Sequence, residues 1–147
     1  MELFRITTAN RAGDRYGSGY AARWNSKGKF TIYTATTRVL ACLENLVHRS
    51  GEGFNRNFKI TVISVPESVS LSQVDENQLA ENWHKTSDQA VCRDIGDQWI
   101  ELSSSLLLRV PSAIIRDENN VLINPNHSDF SKLNVAEIVD FEFDERL

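Results

Sequence analysis

Cysteine, basic runs and long hydrophobic runs are all scarce in this chain, and each shortage removes a class of protein. Only two cysteines occur, Cys42 and Cys92. Both sit in apolar segments without the close pairing of a metal site or disulfide framework, so they read as reduced, buried thiols. No apolar stretch approaches the ~20 residues needed to cross a bilayer. The opening Met1-Glu2-Leu3-Phe4-Arg5 runs straight into an alternating pattern, without the basic start and apolar core of a signal peptide, and a soluble, cytoplasmic protein is expected. Basic residues number 16 against 20 acidic ones, a formal charge of −4, and no Lys/Arg run is long enough to track a phosphate backbone. Direct nucleic-acid binding is therefore not expected. Also missing are a Walker-type phosphate loop, a His-Glu-x-x-His zinc helix, a Gly-x-Ser-x-Gly elbow and a Gly-x-Gly-x-x-Gly dinucleotide fingerprint. Phosphoryl transfer, zinc hydrolysis and ordinary hydride transfer lose support with them, and no metal is expected.

What is present fits one compact domain over residues 1–147, because 41% hydrophobic content in 147 residues builds one core and leaves no room for a second. Leu3 to Thr7 predicts an opening strand, followed by a polar, turn-rich loop from Asn10 to Ser18. Phe30 to Thr34 alternates bulky apolar residues with threonine, as a half-buried strand does. A helix is expected from Thr36 to about Arg49, with Thr36 or Thr37 as N-cap and Gly51 as stop. Its apolar arc is Val39, Leu40, Leu43, Leu46 and Val47, with Glu44 and His48 just beyond one edge. Phe58 to Val65 predicts a β-branched strand closed by Pro66. Ser68 to Lys85 reads as irregular. Asp88 to Glu101 reads as an amphipathic helix turning Val91, Ile95 and Trp99 inward, weakened by Gly96. Leu106 to Val110, Ala113 to Arg116 and Val121 to Ile123 predict strands interrupted by Pro111 and an Asp117 to Asn120 turn, and Ile138 to Phe143 predicts a last one. Strands outnumber helices without regular alternation, so the expected class is α+β.

Several residues are candidates for chemistry, and each carries a plainer alternative. Arg23, beside the small residues Ala21 and Ala22, can bring its planar fork to a phosphate or carboxylate; composition alone favours a surface arginine stacked on Trp24. The Tyr33 ring can stack on a flat heterocycle, or be a core tyrosine with a wet hydroxyl. Glu44, at the edge of an apolar arc, can stabilise a developing positive charge such as an oxocarbenium ion; most helical glutamates are simply solvated. His48, one turn on, reads as a cap or exposed residue ahead of a partner for Glu44. Ser112, after Val110-Pro111, more often satisfies nearby backbone than reacts. Asn124-Pro125 is an ordinary turn signal, and His127 by itself says little about catalysis.

Taken in order, Phe4-Arg5-Ile6, Arg23-Trp24-Asn25 with Gly28, Tyr33-Thr34-Ala35, Leu43-Glu44 with His48, Ile95-Gly96-Asp97-Gln98-Trp99, Val110-Pro111-Ser112-Ala113 and Leu122-Ile123-Asn124-Pro125-Asn126-His127 resemble the RES domain. Ala21 and Ala22 stand where that family usually shows glycines, and Ser128 where it shows proline. The resemblance spans nearly the whole chain. It implies a fold similar to diphtheria-toxin-type ADP-ribosyltransferases, a single domain with a split mixed β-sheet and flanking helices. It also implies a toxin of a bacterial toxin–antitoxin pair that degrades NAD+ by cleaving the nicotinamide–ribose bond. The family's arginine, glutamate and serine fall on Arg23, Glu44 and Ser112.

On that resemblance Arg23 pairs with dinucleotide oxygens and Tyr33 stacks on nicotinamide. Glu44 stabilises the cationic sugar, Ser112 holds Glu44 or a phosphate, and Asn124 lines the wall of the NAD+ cleft. No cofactor is implied beyond NAD+ as substrate, with inorganic phosphate a possible co-substrate in place of water. The implied partner is an Xre-type antitoxin that covers the cleft, binds DNA on the toxin's behalf and forms a hetero-oligomeric complex with it. Two other readings stay open: transfer of ADP-ribose to a protein, and a non-catalytic interaction domain in which Arg23 and Glu44 are structural.

Overall fold

The computed structural model describes residues 1–48 and 57–147. Alternating, β-branched segments become strands β1 (Glu2–Thr8), β2 (Ile32–Ala35), β3 (Phe58–Ser64), β4 (Leu71–Gln73), β5 (Leu107–Pro111), β6 (Asn119–Ile123) and β7 (Asn134–Phe141). They form a single sheet in the order β4-β5-β6-β2-β1-β3-β7. Only β4 and β5 run parallel; every other neighbouring pair is antiparallel. The sheet is split between β2 and β1, where one pair alone, Phe4 and Ala35, is in register. Either side of that junction the ladders are continuous, with seven pairs between β1 and β3 and four between β2 and β6.

Helix α1 (Arg38–His48) follows β2 directly, and α2 (Ala90–Leu102) lies between β4 and β5. Thr37 caps α1, its Oγ1 accepting from Leu40 N at 3.1 Å, which satisfies one of the helix's first unpaired donors. Both helices cover the same face of the sheet. Leu40 and Ala41 of α1 pack over Ile6, Ala35, Phe58 and Ile60, while Cys92 and Trp99 of α2 pack with Trp24, Trp83, Leu108, Val110 and Leu122. On the opposite face Leu3, Ile32, Leu107, Val121 and Ile123 are covered by Leu133 and Phe130.

Several sequence expectations shift. The α1 arc is displaced: Val39 is 68% and Val47 58% exposed, and the side facing the sheet carries Leu40, Ala41, Glu44 and Asn45, whose Nδ2 donates to Ile6 O at 3.1 Å. The apolar period found the helix but rotated its inner face toward the valines, because Glu44 and Asn45, polar in type, face the sheet through hydrogen bonds. In α2, Val91 is exposed, and Cys92, Gly96 and Trp99 are the buried positions. The region predicted irregular, Ser68 to Lys85, contains β4 and a short 3-10 turn at Glu76–Gln78 closed by an Asp75/Gln78 capping box. The strand expected over Ala113 to Arg116 is instead the loop of the β5–β6 hairpin. There the backbone donors of Ile114 and Ile115 go to Ser112 Oγ at 3.1 and 3.2 Å, leaving no ladder to form. Asn120, expected in the preceding turn, lies within β6. Arg49 and Gly51, the expected end and stop of α1, fall outside the described residues.

Candidate active site

Glu44 is carried on the inner side of α1, and the two arms of the β5–β6 hairpin meet it there. Ser112, just past β5 and fully buried, donates from Oγ to Glu44 Oε1 at 3.1 Å. Asn120, on β6, donates from Nδ2 to the same oxygen at 2.6 Å. The other oxygen, Oε2, lies 3.3 Å from His48 Nε2, one helical turn on. His48 is thus both exposed, as expected, and a partner of Glu44, which composition had ranked second. Burial alone pushes the Glu44 carboxyl up, but the contacts from His48, Asn120 and Ser112 outweigh it and hold the group below the usual glutamate range. The result is a largely enclosed carboxylate that stays ionised at neutral pH.

Tyr33 faces the same side of the sheet. It pairs with Leu122 while Ala35 pairs with Asn120, so Tyr33 and Asn120 are diagonal neighbours, about 7–8 Å apart in such a ladder. The Tyr33 hydroxyl donates to Asn25 Oδ1 at 2.5 Å and accepts from Trp24 N at 3.2 Å. Burial pushes the phenol well above its ordinary value, so Tyr33 remains neutral and cannot serve as a general base.

Arg23 is placed by a docked loop. Gly96 makes the docking possible: a Cβ there would lie 1.7 Å from Trp24 O, so only glycine lets the Arg23-Trp24-Asn25 segment lie against α2. Asp97 fastens the segment further, accepting from Ser26 N at 2.8 Å and from the Ser26 hydroxyl. From this base the Arg23 guanidinium donates to the carbonyls of Trp83, His84 at 3.2 Å and Lys85 at 3.3 Å, and lies 6.0 Å from the centre of the Trp83 ring. The expected aromatic stacking partner of Arg23 was Trp24; it is Trp83.

The structure therefore joins Glu44 and Ser112 directly, sets Tyr33 beside their third member Asn120, and holds Arg23 on the Tyr33 side of the same face without contact to Glu44. Asn124 is elsewhere. It follows the far end of β6, about 13 Å from Asn120 at about 3.3 Å per residue, with Nδ2 donating to Ser103 Oγ at 3.1 Å and Oδ1 accepting from Asn126 N at 3.0 Å. That is a turn clasp in which both ends of the amide are paired. His127 likewise accepts from Asp129 N through Nδ1. A cavity lined by Arg5, Asp14, Arg15, Ile32 and Phe130 opens on the opposite face and includes none of the candidate residues. Asn120 is the site residue that sequence reasoning missed; its one signal was a poor strand former lying next to a β-branched run.

An ionised carboxylate fixed by a serine and an asparagine, on a helix that begins at the split of a mixed sheet, is the centre of this α+β domain's candidate site. A family model described as "RES domain" matches residues 2–144, and the chain belongs to that family. It is 36% identical over 152 residues to "Toxin Res" of Photorhabdus laumondii subsp. laumondii, covering 100% of this chain and 97% of that one. It is 34% identical over 153 residues to "Prs ADP-ribosylating toxin" of a Sphingobium species, covering 99% and 95%. The fold is also that of a chain in the crystal structure of the M. tuberculosis MbcT–MbcA toxin–antitoxin complex, with TM-score 0.75, 17% identity, and 96% and 84% of the two chains covered.

Proposed function

We propose that this protein is the toxin of a toxin–antitoxin pair and that it consumes NAD+ in the cytoplasm by breaking the bond between nicotinamide and ribose. The observation that carries the reading is Glu44, a carboxylate kept ionised by Ser112, Asn120 and His48 while largely removed from water. As the C1′–N bond lengthens, its electron pair leaves with neutral nicotinamide and positive charge gathers on the sugar. An oriented anion in a partly desolvated site lowers the energy of that cation. Water then adds at C1′ and releases a proton, giving ADP-ribose, or inorganic phosphate adds in its place. Ser112 positions Glu44, Tyr33 supplies an aromatic wall for the nicotinamide, and Arg23 contributes positive charge on the Tyr33 side, toward the dinucleotide's phosphates. Asn124 takes no part in this reading, since its amide is spent in a turn.

A second reading has its own support: a relative 34% identical is named an ADP-ribosylating toxin, and the same bond cleavage with a protein acceptor would modify a macromolecule. The partner of the toxin is an antitoxin of Xre type that covers this face and leaves DNA contact to itself; the similarity in fold to a chain from a toxin–antitoxin complex supports a partner of that kind. The deciding experiment incubates purified protein with labelled NAD+, with and without phosphate and with and without cell extract as a source of protein acceptors, and identifies products by mass spectrometry. Free nicotinamide with ADP-ribose or its 1-phosphate supports consumption, label on a protein supports transfer, and unchanged NAD+ sinks both.

A further inference from the structure

Asn120 is hydrogen-bonded on one side only. Its Nδ2 donates to Glu44 Oε1 at 2.6 Å, whereas its Oδ1 is buried and has no partner. A buried amide oxygen left unpaired costs the full desolvation of that atom, and native proteins seldom keep one without a use for it. The amide cannot simply be turned over, because that would set Oδ1 against the ionised carboxylate. In the ladder Asn120 lies between Ala35, a small neighbour on β2, and Val110 on β5, diagonal to Tyr33. Asn120 thus stands on the face that carries both Glu44 and Tyr33, where the proposed reaction takes place.

We infer that Asn120 is a positioning residue for Glu44 through Nδ2, and that its Oδ1 accepts a hydrogen bond from a hydroxyl of the ribose whose bond is broken. The hydroxyl follows from the shared hydrogen bond: the part of the substrate facing Glu44 is the sugar, and its hydroxyls are the donors within reach of the neighbouring amide. The donor half of the inference stands on the structure alone; the acceptor half rests on the NAD+ reading.

Two measurements test the two halves. In the free protein, the Glu44 carboxyl is titrated by 13C NMR in wild type, Asn120→Ala and the similarly sized, non-donating Asn120→Leu. Loss of a hydrogen bond to a charged group raises its pKa by about one unit, and either folded variant is expected to show that rise; an unchanged titration in both overturns the positioning role. With substrate, NAD+ analogues deoxygenated at the 2′ or 3′ position of the nicotinamide ribose are compared in wild type and Asn120→Ala. One analogue is expected to lose about tenfold in kcat/KM with wild type and little with the variant, because the partner is already gone. Equal proportional losses in both proteins, for both analogues, overturn the acceptor role. The acid limb of the kcat/KM profile should move up with the Glu44 titration, which a merely structural asparagine would not produce. Wild type that leaves NAD+ intact defeats the NAD+ reading, while the titration, needing no substrate, still decides whether Asn120 holds Glu44.

Discussion

At the scale of single residues, the carboxylate of Glu44 is the group on which the others depend. Glu44→Gln keeps the shape and removes the charge. Loss of a preorganised electrostatic contact of this kind costs about 10²–10³ in kcat, so NAD+ consumption by the purified variant should fall by that factor with its melting curve still cooperative. The depressed Glu44 pKa also makes stability depend on pH. Its folded value lies below the ordinary 4.5, so the unfolded chain binds the proton more readily, and the stabilisation is complete above that value and lost as pH falls through the folded pKa. Denaturant midpoints of wild type and Glu44→Gln should therefore draw together below about pH 4.5, in wild type's disfavour. Arg23 offers a different contrast. Its guanidinium spans three backbone carbonyls, a geometry lysine cannot reproduce, so Arg23→Lys is expected to lower the melting temperature as well as activity. A variant with full stability and raised KM alone would instead assign Arg23 wholly to the substrate. From sequence, Glu44 and Ser112 were legible as a pair only through resemblance; the backbone role of Ser112 toward Ile114 and Ile115 was legible from its residue type.

At the scale of elements, the sequence located both helices and most strands but misjudged which sides face inward. Val39 and Val47 belong to a regular apolar period, yet they are exposed, because α1 crosses the sheet junction with Leu40, Ala41, Glu44 and Asn45 inward and two of those positions carry polar groups bonded to the strands. Gly96, which lowered the expectation of a helix, is what lets α2 receive the Trp24 backbone. Gly96→Ala should push that segment off the helix, at a cost of about 1–3 kcal/mol in chemical denaturation, with activity falling because Arg23 and the Tyr33–Asn25 contact move with it. A variant with unchanged stability and activity would break the link between the docked loop and the site. The hairpin loop at 113–116 shows the converse: four residues with strand-like composition are kept out of a ladder by one buried hydroxyl.

At the scale of the whole molecule, the split sheet with both helices on one face creates a single side on which Arg23, Tyr33, Asn120, Glu44 and Ser112 all stand. A ligand seated there binds the folded state alone. NAD+ at about 100 times its Kd should therefore stabilise the inactive Glu44→Gln protein by about 2.7 kcal/mol, read as a rise in melting temperature, and no rise at saturating NAD+ would count against the site. The sequence by itself determined the α+β class, the positions of the helices and the family, because these are written in local periodicity and in an ordered set of short motifs. Tertiary structure alone decided that Asn120 joins Glu44, that Asn124 does not, and that Arg23 is gripped by the 83–85 carbonyls. The reason is physical: a hydrogen bond between residues 76 apart in the chain depends on how two surfaces meet, and no local pattern of side chains encodes that distance.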